Sequence, residues 1–170
     1  TKLFLLGDVV NLGYKESRWT FIDTALALAR TRGFNAHAIL GNHEVMGRAP
    51  LGERNFQTRF PDHVRTGYVV RKDSIAVVLL NSNFQKLSKA DVALQNAWYA
   101  RTLAELDSAA DVRTIIVCCH HSPYSHSKMV GSSPAVQQHF VAPFLKAGKT
   151  SAFISGHAHM FQHFRSGSKH

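Results

Sequence analysis

Ala36-His37-Ala38-Ile39-Leu40-Gly41-Asn42-His43-Glu44 decides how the rest of this chain is read. An apolar, strand-like run halts at a glycine and then presents an amide, an imidazole and a carboxylate in succession. Polar groups at a strand end are costly to bury without partners, so a core would not accept them there without a purpose.

Three other stretches have the same form. Leu3–Leu6 runs into Gly7-Asp8, Thr114–Cys119 empties into His120-His121-Ser122-Pro123-Tyr124, and Ala152–Ser155 runs into Gly156-His157-Ala158-His159. The segments between them supply the connections. Trp19–Thr31 carries Ile22, Ala25, Leu26 and Ala29 at helical spacing, and Gly33 closes it. Strand, helix and strand make a βαβ unit, so the sheet is expected to be parallel here. Val45–Thr66 is long and irregular, with at most a short helix near Leu51–Phe60; loops of that length are commonly functional. Gly67–Arg71 and Ile75–Leu80 flank Lys72-Asp73-Ser74 as a hairpin, and Asn81-Ser82-Asn83 ends its second strand. A helix starts at Ser88 with Asp91 completing a capping box and runs to about Leu106, with Leu94, Trp98, Leu103 and Leu106 as its apolar face. Thr114–Cys119 is apolar throughout, as a strand covered on both faces is. Ser133-Pro134 opens a last helix through Val136, Phe140 and Phe144 to Lys146, before Gly148 and the strand Ala152–Ser155.

At 170 residues, with 45% hydrophobic and 18% charged residues, the chain has the size and composition of one ordinary globular domain. It holds no apolar run of about 18 residues that would span a membrane. Cys118 and Cys119, adjacent within an apolar run, read as buried thiols and say little of compartment. Twenty Lys and Arg against eleven Asp and Glu give a net charge of +9, which favours anionic partners. The basic residues are scattered, with no run of five and no interleaved aromatics, so they read first as a solvated surface.

In open α/β sheets, ligands gather beyond the carboxyl ends of the strands. Asp8, Asn42, His43, His120 or His121, His157 and His159 all belong at that edge. A lone histidine is more often a surface or hydrogen-bonded residue than a ligand. Four strand ends that each choose ligand types make that reading improbable for the set. Carboxylate and amide oxygens with neutral imidazoles suit Zn²⁺, Mn²⁺ or Fe.

Gly7-Asp8-Val9-Val10-Asn11, Gly41-Asn42-His43-Glu44, His121-Ser122-Pro123-Tyr124 and Gly156-His157-Ala158-His159 resemble the calcineurin-like metallophosphoesterases. The style of the later motifs is closest to the purple acid phosphatase branch. The resemblance covers nearly the whole chain in the right order. It implies an α/β (α+β) fold, a four-layer β-sandwich flanked by helices, carrying two divalent ions (Mn, Fe or Zn). It also implies hydrolysis of phosphate mono- or diesters by a metal-bound hydroxide, on a phosphorylated small-molecule, protein or nucleotide substrate. Within it, Asp8 bridges the metals, Asn42, His121 and His157 hold one, and His159 helps hold the other. His43 is implied as a general acid rather than a ligand, and Glu44 as support for the loop. His121 is preferred to His120 on the family's His-x-Pro pattern, with His120 the alternative. The family also has an Asp-x-His segment before Gly-Asp and further strands after Gly-His-x-His. Residues 1–170 are therefore expected to form one such domain lacking the first motif and the last strands. The rival expectations are a non-catalytic scaffold of the same fold and, from the charge alone, a nucleic-acid-binding domain.

Overall fold

The structure, a computed structural model, describes residues 1–170. In chain order the elements are β1 (Lys2–Leu5), α1 (Thr20–Thr31), β2 (Asn35–Ala38), α2 (Ala49–Arg59), β3 (Tyr68–Lys72), β4 (Ile75–Leu79), α3 (Lys89–Ser108), β5 (Thr114–Cys119), α4 (Pro134–Val136), α5 (Ala142–Lys146) and β6 (Thr150–Ser155). β1 and β2 pair in parallel, as the βαβ reading expects. The other sheet runs β3-β4-β5-β6, antiparallel in the β3–β4 hairpin and parallel thereafter.

The period-2 alternation of the strands sorts their side chains into separate cores. Ala76, Val78, Ile115, Val117 and Cys119 face α3 and the α4–α5 run, meeting Tyr99, Leu103, Val136 and Phe140. Their neighbours Val77, Leu79 and Cys118 point the other way and pack with Tyr68, Val70 and Ile39, against which Phe4 and Leu6 of the first sheet also rest. The far face of that first sheet, through Ala38 and Leu40, packs on Trp19, Leu26, Phe56 and Phe60 from the α1 and α2 side. Helices, two-stranded sheet, four-stranded sheet and helices thus form four layers, with β5 covered on both faces as its apolar sequence requires.

Helix α3 starts where expected. Ser88 accepts from the Asp91 N–H at 3.0 Å, and the Asp91 carboxylate accepts from the Ser88 N–H at 3.2 Å. Its buried face is rotated from the expected one. Leu94 is 60% exposed, whereas Gln95, Tyr99, Thr102, Leu103 and Leu106 are buried. Gln95 is accepted in the core because its amide pairs with both backbone groups of Asn81, each at 3.0 Å. In α1, likewise, Ala25 is exposed and Leu26 is the one fully buried residue. The run from Pro134 to Lys146 widens into a π turn over Gln137–Val141. Pro143 has no N–H and its ring crowds the carbonyl four residues back, at His139; the wider turn keeps the run continuous.

On β2 and beneath it lie two buried histidines, His37 and His63, that no metal reading uses. His63 packs edge-on to Phe56 at 5.0 Å, and burial pushes its pKa down to about 4 against a backbone hydrogen bond to Ala38 that raises it. His37 is likewise lowered, first by burial and then by Lys2. The unfolded chain takes up these protons near pH 6.5, before the folded one does. Their contribution is therefore complete above pH 6.5 and is lost as pH falls toward 4. For His63 alone the shift corresponds to about 3 kcal/mol. Urea unfolding at pH 7 and pH 4 is expected to show this loss, and His63→Gln to reduce it by a similar amount; an unchanged pH dependence in that variant would refute the assignment.

Candidate metal centre

The ends of β1, β2, β5 and β6 converge at one edge through backbone contacts that only glycine allows. Gly7 adopts φ +86°, and a Cβ there would lie 2.6 Å from both the Gly41 nitrogen and His120 Nδ1. A Cβ on Gly41 would collide with the backbone nitrogen and carboxylate of Asp8. Asp8, His157 and His159 are themselves in the left-handed region, at φ 52°, 66° and 52°. Such a conformation costs a non-glycine residue about 1–3 kcal/mol and persists only where the surroundings impose it.

For Asp8 the surroundings are Glu44. This side chain is fully buried, and its carboxylate accepts from the backbone N–H groups of Asp8 at 2.8 Å, Val10 at 3.1 Å and Gly41 at 2.7 Å. Burial pushes its pKa up despite those three donors. The Glu44 carbonyl is in turn packed between Gly13 and Gly52, where added side chains would strike it. Support of the loop, expected of Glu44, thus has a definite form: it ties the turn after β1 to the turn after β2.

With the backbone so held, donor atoms cluster about one nitrogen. His120 Nε2 stands 3.2 Å from Asp8 Oδ2, 3.1 Å from Asn42 Oδ1 and 3.1 Å from His157 Nδ1. His120 Nδ1 lies 2.7 Å from the Leu6 carbonyl, which can only accept. The ring must donate there, so in neutral His120 the lone pair is on Nε2, facing a carboxylate oxygen, an amide oxygen and a second imidazole. Four electron-rich atoms at one point need a positive charge between them. A divalent cation fits: bonds of about 2.1 Å put neighbouring donors roughly 3.0 Å apart in an octahedron and 3.4 Å in a tetrahedron. The Leu6 carbonyl has the place of the outer partner that holds a ligating histidine in its tautomer. Without the ion, a proton on Nε2 plays the same part. Burial pushes the His120 pKa down, but its bonds to Asp8 and Leu6 outweigh this and leave it raised. Burial pushes Asp8 up, and His120 with the His43 N–H outweighs that and holds it below the carboxylate range.

The remaining site residues are placed as follows. His121 joins His120 and His157 in a group whose candidate ligand atoms all lie within 4.8 Å of one another. Its Nδ1 is turned to Ser82 Oγ at 2.8 Å, however, and the contacts to Asp8 and Asn42 are made by His120. The distances therefore favour His120, the alternative, over the preferred His121. The reason is that β5 ends at Cys119, so the first polar residue, not the one two before Pro123, points across to β1 and β2. Burial, with His120 and His157 beside it, pushes the His121 pKa down to about 4. His43 donates from Nδ1 to the Asn11 carbonyl at 2.9 Å, leaving Nε2 4.0 Å from Asp8 Oδ2 on a partly exposed ring. His159 is exposed and lies outside the three-histidine group. A cavity of about 640 Å³ opens behind Gly156 and Ala158, lined by Phe144, Phe153 and Phe164, and none of the clustered histidines faces it.

Two contributors went unread in the sequence. Ser82 orients His121, and Asn83 Nδ2 donates to the Leu40 carbonyl at 3.0 Å, fixing the approach to Gly41. Their signal was present: Asn81-Ser82-Asn83 ends β4 as polar triplets end the other strands.

The sequence profile of the calcineurin-like phosphoesterase family matches residues 1–161, which include every residue of this centre. The chain belongs to that family. The match is to the family as a whole and specifies no branch of it. Among solved structures, the chain resembles a dimetal phosphatase from Danio rerio, with a TM-score of 0.58 and 15% identity. The likeness covers 93% of this chain and 66% of that one, and at this identity it shows the shared metallophosphoesterase fold. No curated protein sequence matches the chain.

Proposed function

We propose that the chain carries active-centre residues of a divalent-metal-dependent phosphoesterase acting on phosphate mono- or diesters. One observation carries this: Asp8, Asn42 and His157 all direct donor atoms at His120 Nε2 within 3.2 Å. Asp8, Asn42, His120 and His157 would hold one ion, and Asp8 with His159 would contribute to a second. The mixed oxygen and imidazole set suits Mn²⁺, Fe or Zn²⁺. When bound, such ions supply positive charge to the phosphoryl oxygens and lower the pKa of water to about 7.

The chain's own residues do the rest. Glu44 holds Asp8 in its left-handed conformation, so the carboxylate is aimed before any ion arrives. His43 cannot turn away, because its Nδ1–H is engaged with Asn11. Its Nε2 faces the site, and when the ring carries a proton on both nitrogens the one on Nε2 can pass to the leaving oxygen. Such preorganised donors cost no rearrangement as charge develops.

The +9 charge does not favour a nucleic-acid surface. Arg59, Arg65 and Arg71 are each paired with carboxylates, and the ring beneath Arg59, Trp19, is fully buried and open to no base. The test is to strip the full-length protein of metal, restore Mn²⁺, Fe²⁺ or Zn²⁺ singly, and assay aryl phosphate mono- and diesters. Metal-dependent hydrolysis is expected. A protein that binds none of the three ions and cleaves neither ester is not a phosphoesterase.

A further inference from the structure

Two adjacent histidines, His120 and His121, are held by different kinds of partner. His120 faces a carbonyl, which leaves its Nε2 with a lone pair. His121 faces a hydroxyl, and complete accounting of that hydroxyl places the ring proton.

Ser82 is buried at the end of β4. Its Oγ lies 3.0 Å from the backbone N–H of His121 and 2.8 Å from His121 Nδ1. The backbone group can only donate, so it takes up one lone pair of the oxygen. The hydroxyl hydrogen then needs an acceptor, since a buried donor without one costs about 1–3 kcal/mol. Imidazole Nδ1 is a far stronger acceptor than the neighbouring Cys119 thiol, which is itself directed at the His121 carbonyl at 3.1 Å. The hydroxyl therefore donates to Nδ1, and neutral His121 carries its proton on Nε2. That nitrogen is on the opposite side of the ring from Ser82. The ring packs on His157, 4.5 Å between centroids, and the residue is only partly buried.

Opposite tautomers give opposite chemistry. The lone pair on His120 Nε2 would face a bound cation. The N–H on His121 Nε2 cannot ligate a cation but can donate to an anion beside it. We propose that Ser82 is a positioning residue that holds His121 as an Nε2–H donor, and that His121 binds an oxygen of the substrate's phosphoryl group beside the metal centre. This rests on the phosphoesterase reading for the identity of the anion; the tautomer does not.

Two measurements test it. In metal-free, full-length protein, ¹⁵N NMR of the histidine rings is expected to show His121 neutral and protonated at Nε2, with Ser82→Ala converting it to a tautomer mixture. In Mn²⁺-loaded protein, calorimetry reads the Kd for Mn²⁺ and for inorganic phosphate. His121→Ala is expected to leave the Mn²⁺ Kd within about twofold while weakening phosphate roughly tenfold, as loss of one charge-assisted hydrogen bond does, and Ser82→Ala, which keeps a fraction of the Nε2–H tautomer, to weaken phosphate by only about twofold. Ser82→Thr, which keeps the hydroxyl, is expected to restore wild-type phosphate affinity. A His121 proton on Nδ1, or a loss of Mn²⁺ in His121→Ala as large as in His120→Ala, would make His121 a ligand and overturn the proposal. So would phosphate affinity unchanged in both variants. Wild-type protein that takes up no Mn²⁺ overturns the phosphate-binding role together with the phosphoesterase reading, a pattern distinct from metal loss in one variant.

Discussion

Glu44→Ala is expected to leave the protein unfolded or barely stable at 25 °C, although the residue touches no ligand. Its carboxylate is the acceptor of three backbone N–H groups, from Asp8, Val10 and Gly41, and it is fully buried. A buried donor stripped of its partner costs about 1–3 kcal/mol, so three stranded donors amount to about 3–9 kcal/mol. The whole stability of a domain is about 5–15 kcal/mol. Glu44→Gln is the informative companion. It keeps the volume and one acceptor oxygen but turns an N–H₂ toward donors that Oε1 or Oε2 now serves. It is expected to fold, because its one oxygen can take the place of Oε2 and still accept from Asp8 and Gly41, leaving N–H₂ against the Val10 N–H, and the Mn²⁺ Kd is expected to rise by less than about tenfold. Urea unfolding separates the two variants, and calorimetric titration measures the second effect. A Mn²⁺ Kd raised far more than about tenfold in Glu44→Gln would mean that the amide oxygen does not keep its hold on Asp8.

Local signals carried the fold a long way. Continuous apolar runs marked β4 and β5 because both faces of that sheet are covered, and the Ser88–Asp91 pair marked the start of α3 because a capping box depends only on neighbours in sequence. Periodicity failed at Leu94 and Gln95. The buried amide there is accepted by the two backbone groups of Asn81, a partner 14 residues away that no helical pattern reveals. Sequence also placed the donors at one edge, since each strand end announced itself. It did not order His120 and His121. Their difference lies in what sits behind each ring, the Leu6 carbonyl for one and the Ser82 hydroxyl for the other, at separations of 114 and 39 residues. Left-handed backbone at Asp8, His157 and His159 was equally invisible, because it is imposed by contacts and not by residue type.

His43 and His120 are both imidazoles within 4.0 Å of Asp8 Oδ2, and opposite outcomes are expected from removing them. His120→Ala takes away the nitrogen on which Asp8, Asn42 and His157 converge, and leaves three donors with no fourth. Its Mn²⁺ affinity is expected to fall by more than the roughly 10–100-fold that loss of an outer-shell partner costs. Asn42→Ala should weaken the same ion, since Oδ1 is one of the three atoms around His120 Nε2. His43→Ala should leave metal content nearly unchanged, because its Nε2 is at 4.0 Å from the nearest Asp8 oxygen, beyond hydrogen-bond reach, and its Nδ1 is spent on Asn11. What it removes is a proton donor, which costs about 10²–10⁴-fold in kcat. Leaving-group dependence sharpens the comparison. An ester whose leaving group is already a weak base needs no proton, so the defect of His43→Ala should shrink toward a nitrophenyl ester and grow toward an alkyl one. A metal-ligand defect has no such dependence on the leaving group's need for a proton. Equal metal loss in His43→Ala and His120→Ala would dissolve the distinction, and the site would then hold its ion with both rings.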